Sequence, residues 1–219
     1  MRKTILLIAL LFSAGLLEAA PGRGGYMGHR IIIGAEGAYA PFYTSFSDFF
    51  TKYNFQYGGN LGVIISRRSQ LHANYSMWSL GNNQVYNHGI LPEYFKGDRM
   101  KGMSVGLSLR TFRKNRGGIA PIGKFYDIGL NYTHNEFVIG KDNPAYGSLM
   151  LTENYLDQVT FHAAVGTQMV FWDRVVANTG LRIGAPLFTI DSSTNHSFLE
   201  RRAFEKDIFQ VFFGVGVLL

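Results

Sequence analysis

The sequence has no cysteine in its 219 residues. That excludes a disulfide framework, a thiolate metal site and a lipid-anchored cysteine. Charge is also scarce. Asp, Glu, Lys and Arg make up 16% of the chain, against about 25% in ordinary soluble domains. Long apolar runs are missing too. Residues 4–17 form one apolar run, but a spanning helix needs roughly 20 such residues. Nothing later in the chain is long enough. If the mature chain sits in a membrane, it must do so as a closed barrel, because only helices and closed barrels satisfy every backbone polar group in lipid.

What is present fits that alternative. Glycine is abundant at 26 residues and aromatics reach 15%, a composition that suits short strands and aromatic girdles. Arg2 and Lys3, the apolar run and the small residues Ala19 and Ala20 make residues 1–20 a secretory signal peptide. The cut is expected near Ala19 or Ala20, with Glu18 crowding the site. Residues 21–28 are a Gly-rich flexible lead-in, and residues 29–219 form one domain.

The last stretch, 207–219, sets the pattern for that domain. Phe209, Val211, Phe213, Val215, Val217 and Leu219 form one alternate set, all apolar. Ile208, Gln210, Phe212, Gly214, Gly216 and Leu218 form the other. A period of two with unlike faces is a strand, and a wholly apolar face suits contact with lipid.

The same alternation predicts seven earlier strands, at about 30–39, 56–66, 70–78, 100–112, 121–134, 158–171 and 175–185. Pro41 is expected to end the first. The connections alternate long and short, with long ones at 40–55, 80–99, 135–157 and 186–206. Residues 46–50 could form a helical turn within the first. The predicted fold is all-β: an eight-stranded antiparallel up-and-down transmembrane β-barrel. Its short turns and both termini lie in the periplasm, and its four long loops lie outside.

Charge placement tests this reading. Across the central part of every apolar face there is no Asp, Glu, Lys or Arg. Lys124 comes nearest, at the turn end of strand five. A charge at the bilayer midplane costs roughly 2–4 kcal/mol, falling toward the interface, so Lys124 belongs near the headgroups. The opposite faces carry Glu36, Asn60, His72, Asn74, Arg110, Asp127, Asn131, His162, Gln168, Asn178 and Arg182. A secreted lipocalin-like barrel or sandwich would put its apolar residues inside. These inner faces are too polar for a dry core.

The alternating final strand, the leader and the turn Gly118-Ile119-Ala120-Pro121-Ile122-Gly123 feeding Tyr126–Tyr132 resemble the small outer-membrane β-barrel proteins of Gram-negative bacteria, the OmpX-like and OmpW-like group. The resemblance covers the whole mature chain and implies architecture more than activity. It also implies recognition by the barrel insertion machinery. Many such chains end in Phe or Trp. This one ends in Leu218-Leu219, so recognition is expected to lean on Phe209 and Phe213.

Eight strands enclose room only for side chains or one small ligand. Glu36, Arg110, Asp127 and Arg182 point inward, and their charges cancel. Unpaired charge there would be costly, so these four are expected to form a polar network that plugs the lumen. The rival is a narrow conduit for small or hydrophobic solutes. A lesser alternative is a membrane lipid-modifying enzyme using His72 with Ser76 or Asn74, or His162 with Thr160. Catalysis is not expected, because spacing alone does not make a triad. No metal and no cofactor are expected.

The long loops are the expected functional surface, with Phe46, Phe49, Phe50, Tyr94 and Phe95 as candidate contacts. The plainer reading makes such aromatics girdle or capping residues. The expected partners are outer-membrane lipids, lipopolysaccharide and a host-surface or envelope protein. Nucleic acid is not expected. The net charge of +6 comes in part from the leader and the short turns, and no basic-aromatic platform is concentrated on one element.

Overall fold

The computed structural model describes residues 28–41, 53–81, 99–113, 121–138, 155–192 and 208–219. They form eight strands: β1 (Ile31–Pro41), β2 (Tyr53–Ile64), β3 (Ser69–Gly81), β4 (Arg99–Phe112), β5 (Gly123–Val138), β6 (Tyr155–Phe171), β7 (Val175–Ser192) and β8 (Gln210–Leu218). Each pairs antiparallel with its neighbours in sequence, and β8 pairs with β1, so the sheet closes. Closure removes the sheet edges that would otherwise expose unpaired backbone groups. The expected signal peptide and most of the expected lead-in lie outside the described residues, as does the 46–50 segment.

The strands are staggered. Val175 pairs with Val217, which pairs with Ile33. The path continues through Leu61, Ala73, Leu107, Leu130 and Phe161. It returns to β7 at Ala185, ten residues beyond its start. A row of paired residues therefore climbs the barrel from β1 toward β8, as strand tilt requires.

The period of two sorts the side chains as the sequence implies. Ile33, Tyr57, Val105, Ile128, Leu130, Val165, Leu181, Ile183, Phe213 and Val215 face outward and are exposed. Gln70, His72, Ser108, Arg110, Asp127, His162, Gln168 and Gln210 face inward and are buried. A water-soluble barrel has the reverse arrangement. This closed antiparallel barrel, greasy outside and polar within, has the form of a transmembrane barrel.

The structure corrects several strand ends. β1 includes Pro41 instead of stopping before it, which proline tolerates at a strand terminus. β5 continues to Val138 and β6 begins at Tyr155. The largest change is in β7, which runs past Pro186 to Ser192 where a loop was expected. Its pairing with β6 shifts register between Asp157 and Gln158 and again between Val159 and Thr160. Those bulges absorb one extra β7 residue each and break the alternation that marks a strand in sequence. A tilted strand crosses a membrane in about 9–11 residues. β6 and β7 have 17 and 18, so their loop-side ends stand beyond the bilayer.

The β6–β7 turn is tight. Trp172 and Asp173 have φ of 48° and 60°, and Arg174 N–H donates to the Phe171 carbonyl at 3.2 Å. Phe171 pairs with Val175 across three turn residues, and the two successive positive φ values fit the twist of a tight hairpin turn, although Trp is an unusual occupant.

Candidate functional site

The lumen holds all four charged residues expected there, in two ion pairs. In the first, Arg110 Nε donates to Asp127 Oδ2 at 3.0 Å, both residues being buried. They are direct partners on β4 and β5. Arg110 Nη1 donates to Gln168 Oε1 at 2.8 Å, and Gln168 Nε2 in turn to Gln70 Oε1 at 3.5 Å. His162 Nε2 faces the other Asp127 oxygen at 3.8 Å. In the second pair, Arg182 Nη2 donates to Glu36 Oε1 at 2.6 Å and Nη1 to Gln210 Oε1 at 3.3 Å.

The lumen is apolar at the short-turn end, and the apolar cluster reaches the level of the ion pairs at Phe212. Ile32, Ile64, Phe112, Phe125, Val176, Phe212 and Leu218 pack into one buried cluster. The Phe112 and Phe125 rings meet edge-on at 5.9 Å, and Phe125 and Phe212 lie 6.3 Å apart. Glycine makes room for them. A Cβ on Gly166 would sit 2.6 Å from Phe125 Cζ, and one on Gly180 would sit 2.7 Å from Phe212 Cζ. Arginines cap the rings, with the Arg110 guanidinium 4.0 Å over Phe125 and that of Arg182 4.8 Å over Phe212. Such stacking is favourable by about 0.5–2 kcal/mol, more when water is excluded.

The inner faces are therefore not uniformly polar, and the expectation that they exclude a dry core fails for this end. A narrow barrel must fill its interior, and aromatic rings over glycine do so. The signal was present in the sequence. Phe112, Phe125 and Phe212 share the inward parity, and Gly166 and Gly180 lie on the neighbouring positions.

Above the ion pairs the lumen is polar again. Asn60, Asn74, Ser104, Thr133, Asn135, Gln158 and Thr160 are buried there. Polar atoms of Asn131 and Asn135 have no protein partner among the described residues. Unpaired buried polar groups are costly unless water reaches them, so this part of the lumen is suited to hold water.

His72 and His162, weighed above as parts of a catalytic site, are both buried in the lumen wall. Among the described residues no group of His, Asp and Glu is arranged to hold a metal. The candidate loop contacts Phe46, Phe49, Phe50, Tyr94 and Phe95 lie outside the described residues.

A polar group missed in the sequence braces the barrel where β5, β6 and β7 rise beyond the bilayer. Tyr132 Oη donates to Asp157 Oδ2 at 2.8 Å, and His134 Nδ1 lies 2.5 Å from Asp157 Oδ1. Tyr155 Oη donates to Asp191 Oδ2 at 3.0 Å, and its ring stacks on His134. Leu187, Phe188 and Ile190 are exposed nearby on β7. Asp157 and Asp191 fell in presumed loops, so their shared face could not be seen.

No family model matches the sequence, and no curated protein matches it. Solved structures do match its fold. Neisserial surface protein A is similar over 86% of this chain and 96% of its own, at TM-score 0.52 and 12% identity. The N-terminal β-barrel domain of Pseudomonas aeruginosa OprF covers 87% of this chain and 98% of its own, at TM-score 0.48 and 13% identity. Ail, the attachment invasion locus protein of Yersinia pestis, solved with the heparin analogue sucrose octasulfate, covers 87% and 97%, at TM-score 0.46 and 10% identity. At such identities the likeness is one of fold. The fold is that of small eight-stranded outer-membrane barrels.

Proposed function

We propose that the chain is an integral outer-membrane barrel, closed to solutes, that acts in envelope structure or surface interaction through its extracellular end. The termini and short turns lie in the periplasm. The observation that carries this reading is the aromatic plug at the short-turn end of the lumen. Phe112, Phe125 and Phe212 fill the bore, and Arg110 and Arg182 lie over two of the rings while bound to Asp127 and Glu36. A solute entering the lumen from the loop end meets this plug before it reaches the periplasm.

With the lumen closed, the surface beyond the bilayer is where function is most naturally placed. The raised ends of β6 and β7 support this, because Leu187, Phe188 and Ile190 are exposed above the lipid-facing band. Exposed apolar residues at a polar margin mark contact surfaces. The partners proposed are lipopolysaccharide and a host-surface or envelope protein, with Phe46, Phe49, Phe50, Tyr94 and Phe95 contributing from the loops.

The second reading, a narrow conduit for small or hydrophobic solutes, draws on the unpartnered amides of Asn131 and Asn135 in the upper part of the lumen. Planar-bilayer recording separates the two. The closed-barrel reading expects no steady conductance and no uptake of small sugars into proteoliposomes. Sustained channel currents from the wild-type protein would replace it with the conduit.

A further inference from the structure

At the short-turn end a trough of about 340 Å3 is cut into the outer wall, lined in part by Arg113, Lys124, Tyr126, Val165, Gly166 and Thr179. Its size falls in the lower part of the roughly 300–1,000 Å3 range of ligand clefts. Its floor is low because the outward-facing residues Thr167 and Thr179, directly paired on β6 and β7, are small. Tyr126 and Val165, both exposed, form an apolar wall.

The charge at its mouth is unbalanced. Arg113 N–H donates to the Lys124 carbonyl at 2.8 Å, so the two residues lie opposite each other on adjacent strands, and both are exposed. Like charges directly opposite each other are destabilising. Their outer row continues through Thr167 and Thr179 to Phe213, without a carboxylate. The sequence from Arg113 to Lys124 adds Lys114 and Arg116 and no acid. Because paired rows climb from β1 toward β8, this row rises from the two cations into the apolar band. The trough is thus cationic at the membrane surface and apolar as it enters the bilayer.

We propose that this trough seats one anionic phospholipid of the periplasmic leaflet. Its phosphate bridges Arg113 and Lys124, relieving their repulsion, and one acyl chain lies along the groove beside Tyr126 and Val165. The proposal rests on the membrane reading above. It also gives a purpose to Lys124, the cation that the sequence places on an otherwise uncharged face.

The test is native mass spectrometry of the full-length mature protein, refolded in vesicles of equal parts phosphatidylglycerol and phosphatidylcholine and then extracted into mild neutral detergent. Wild type is expected to retain one phosphatidylglycerol in preference to phosphatidylcholine, on the order of 25-fold, about fivefold for each cation. The R113Q/K124Q double variant should retain the two lipids about equally. A second variant, T179F, keeps both cations and fills the groove, and should also lose the retained lipid. Heat-dependent migration on a gel shows whether each variant has formed the barrel, and T179F serves as the test if the double variant does not fold. Equal retention of both lipids by wild type overturns the proposal and leaves the membrane reading intact, as does undiminished preference in a folded variant. A wild-type protein that remains in the aqueous fraction without vesicles or detergent overturns both.

Discussion

Glu36 and Arg182 are 146 positions apart in the sequence and share a 2.6 Å hydrogen bond inside the barrel. They belong to β1 and β7, strands that never pair, with β8 between them. Directly opposite Glu36 on β8 is Gly214, and the space a Cβ would take there is filled by the Asn178 amide, 2.9–3.0 Å away. The bond ties the first strand to the seventh over the closing strand and so acts as a fastener on the β8–β1 seam.

That placement predicts how the pair fails. Arg182→Met leaves the Glu36 carboxylate buried without its partner, which costs about 3–5 kcal/mol. Replacing both, as Arg182→Met with Glu36→Leu, should recover most of the loss, because a buried ion pair is often no better than apolar residues of similar volume. Urea unfolding of the four proteins in detergent micelles completes the cycle. If the single and double variants are equally unstable, the pair is not what holds the seam.

The aromatic plug makes a different prediction. Phe212→Ala removes a fully buried ring that touches Phe125 and supports Arg182. The expected cost is about 3–5 kcal/mol. The functional effect is the more telling one. Combined with Phe125→Ala, the change should open the short-turn end of the lumen and produce small, steady currents that the wild type lacks. A double variant that folds and remains electrically silent would place the barrier elsewhere.

Much of this was legible beforehand, for a physical reason. A lipid-facing side chain has to be apolar and its neighbour looks into a narrow polar bore, so the two-residue period carries the strand, its register and its environment together. Arg110, Asp127, Glu36 and Arg182 could be turned inward on that basis alone. Which acid each arginine meets could not be read, because Arg182 reaches across a strand to Glu36. The apolar plug was hidden by averaging polarity over whole inner faces, when Phe112, Phe125 and Phe212 share one paired row from β4 to β8. The raised end of β7 was hidden by its two bulges, since Leu187, Phe188, Thr189 and Ile190 follow no alternation and are all exposed.

Position along a strand should decide the cost of a charge on the outer face. Leu130→Arg, in the middle of the apolar band of β5, should destabilise the barrel by about 2–4 kcal/mol. Met169→Arg, exposed near the short-turn end of β6 and opposite Ala177, should cost about 0–1 kcal/mol. Refolding titrations into lipid vesicles measure both. Equal effects would mean that lipid does not cover this surface as the exposed side chains require.

The β6–β7 turn sets backbone comfort against anchoring. Trp172 holds a positive φ that favours Gly or Asn, yet 86% of its surface is exposed. Trp at a membrane boundary sits among the headgroups, which accounts for retaining it where the backbone would choose otherwise. Trp172→Asn should therefore have opposite effects in two media. In detergent micelles, where no ordered interface exists, relief of the turn should raise stability by up to about 1 kcal/mol. In vesicles the lost anchor should cancel that gain or reverse it. Urea titrations in the two media, read from barrel migration on gels, test the sign. A gain of the same size in both would show that Trp172 is exposed at the turn without serving as an anchor.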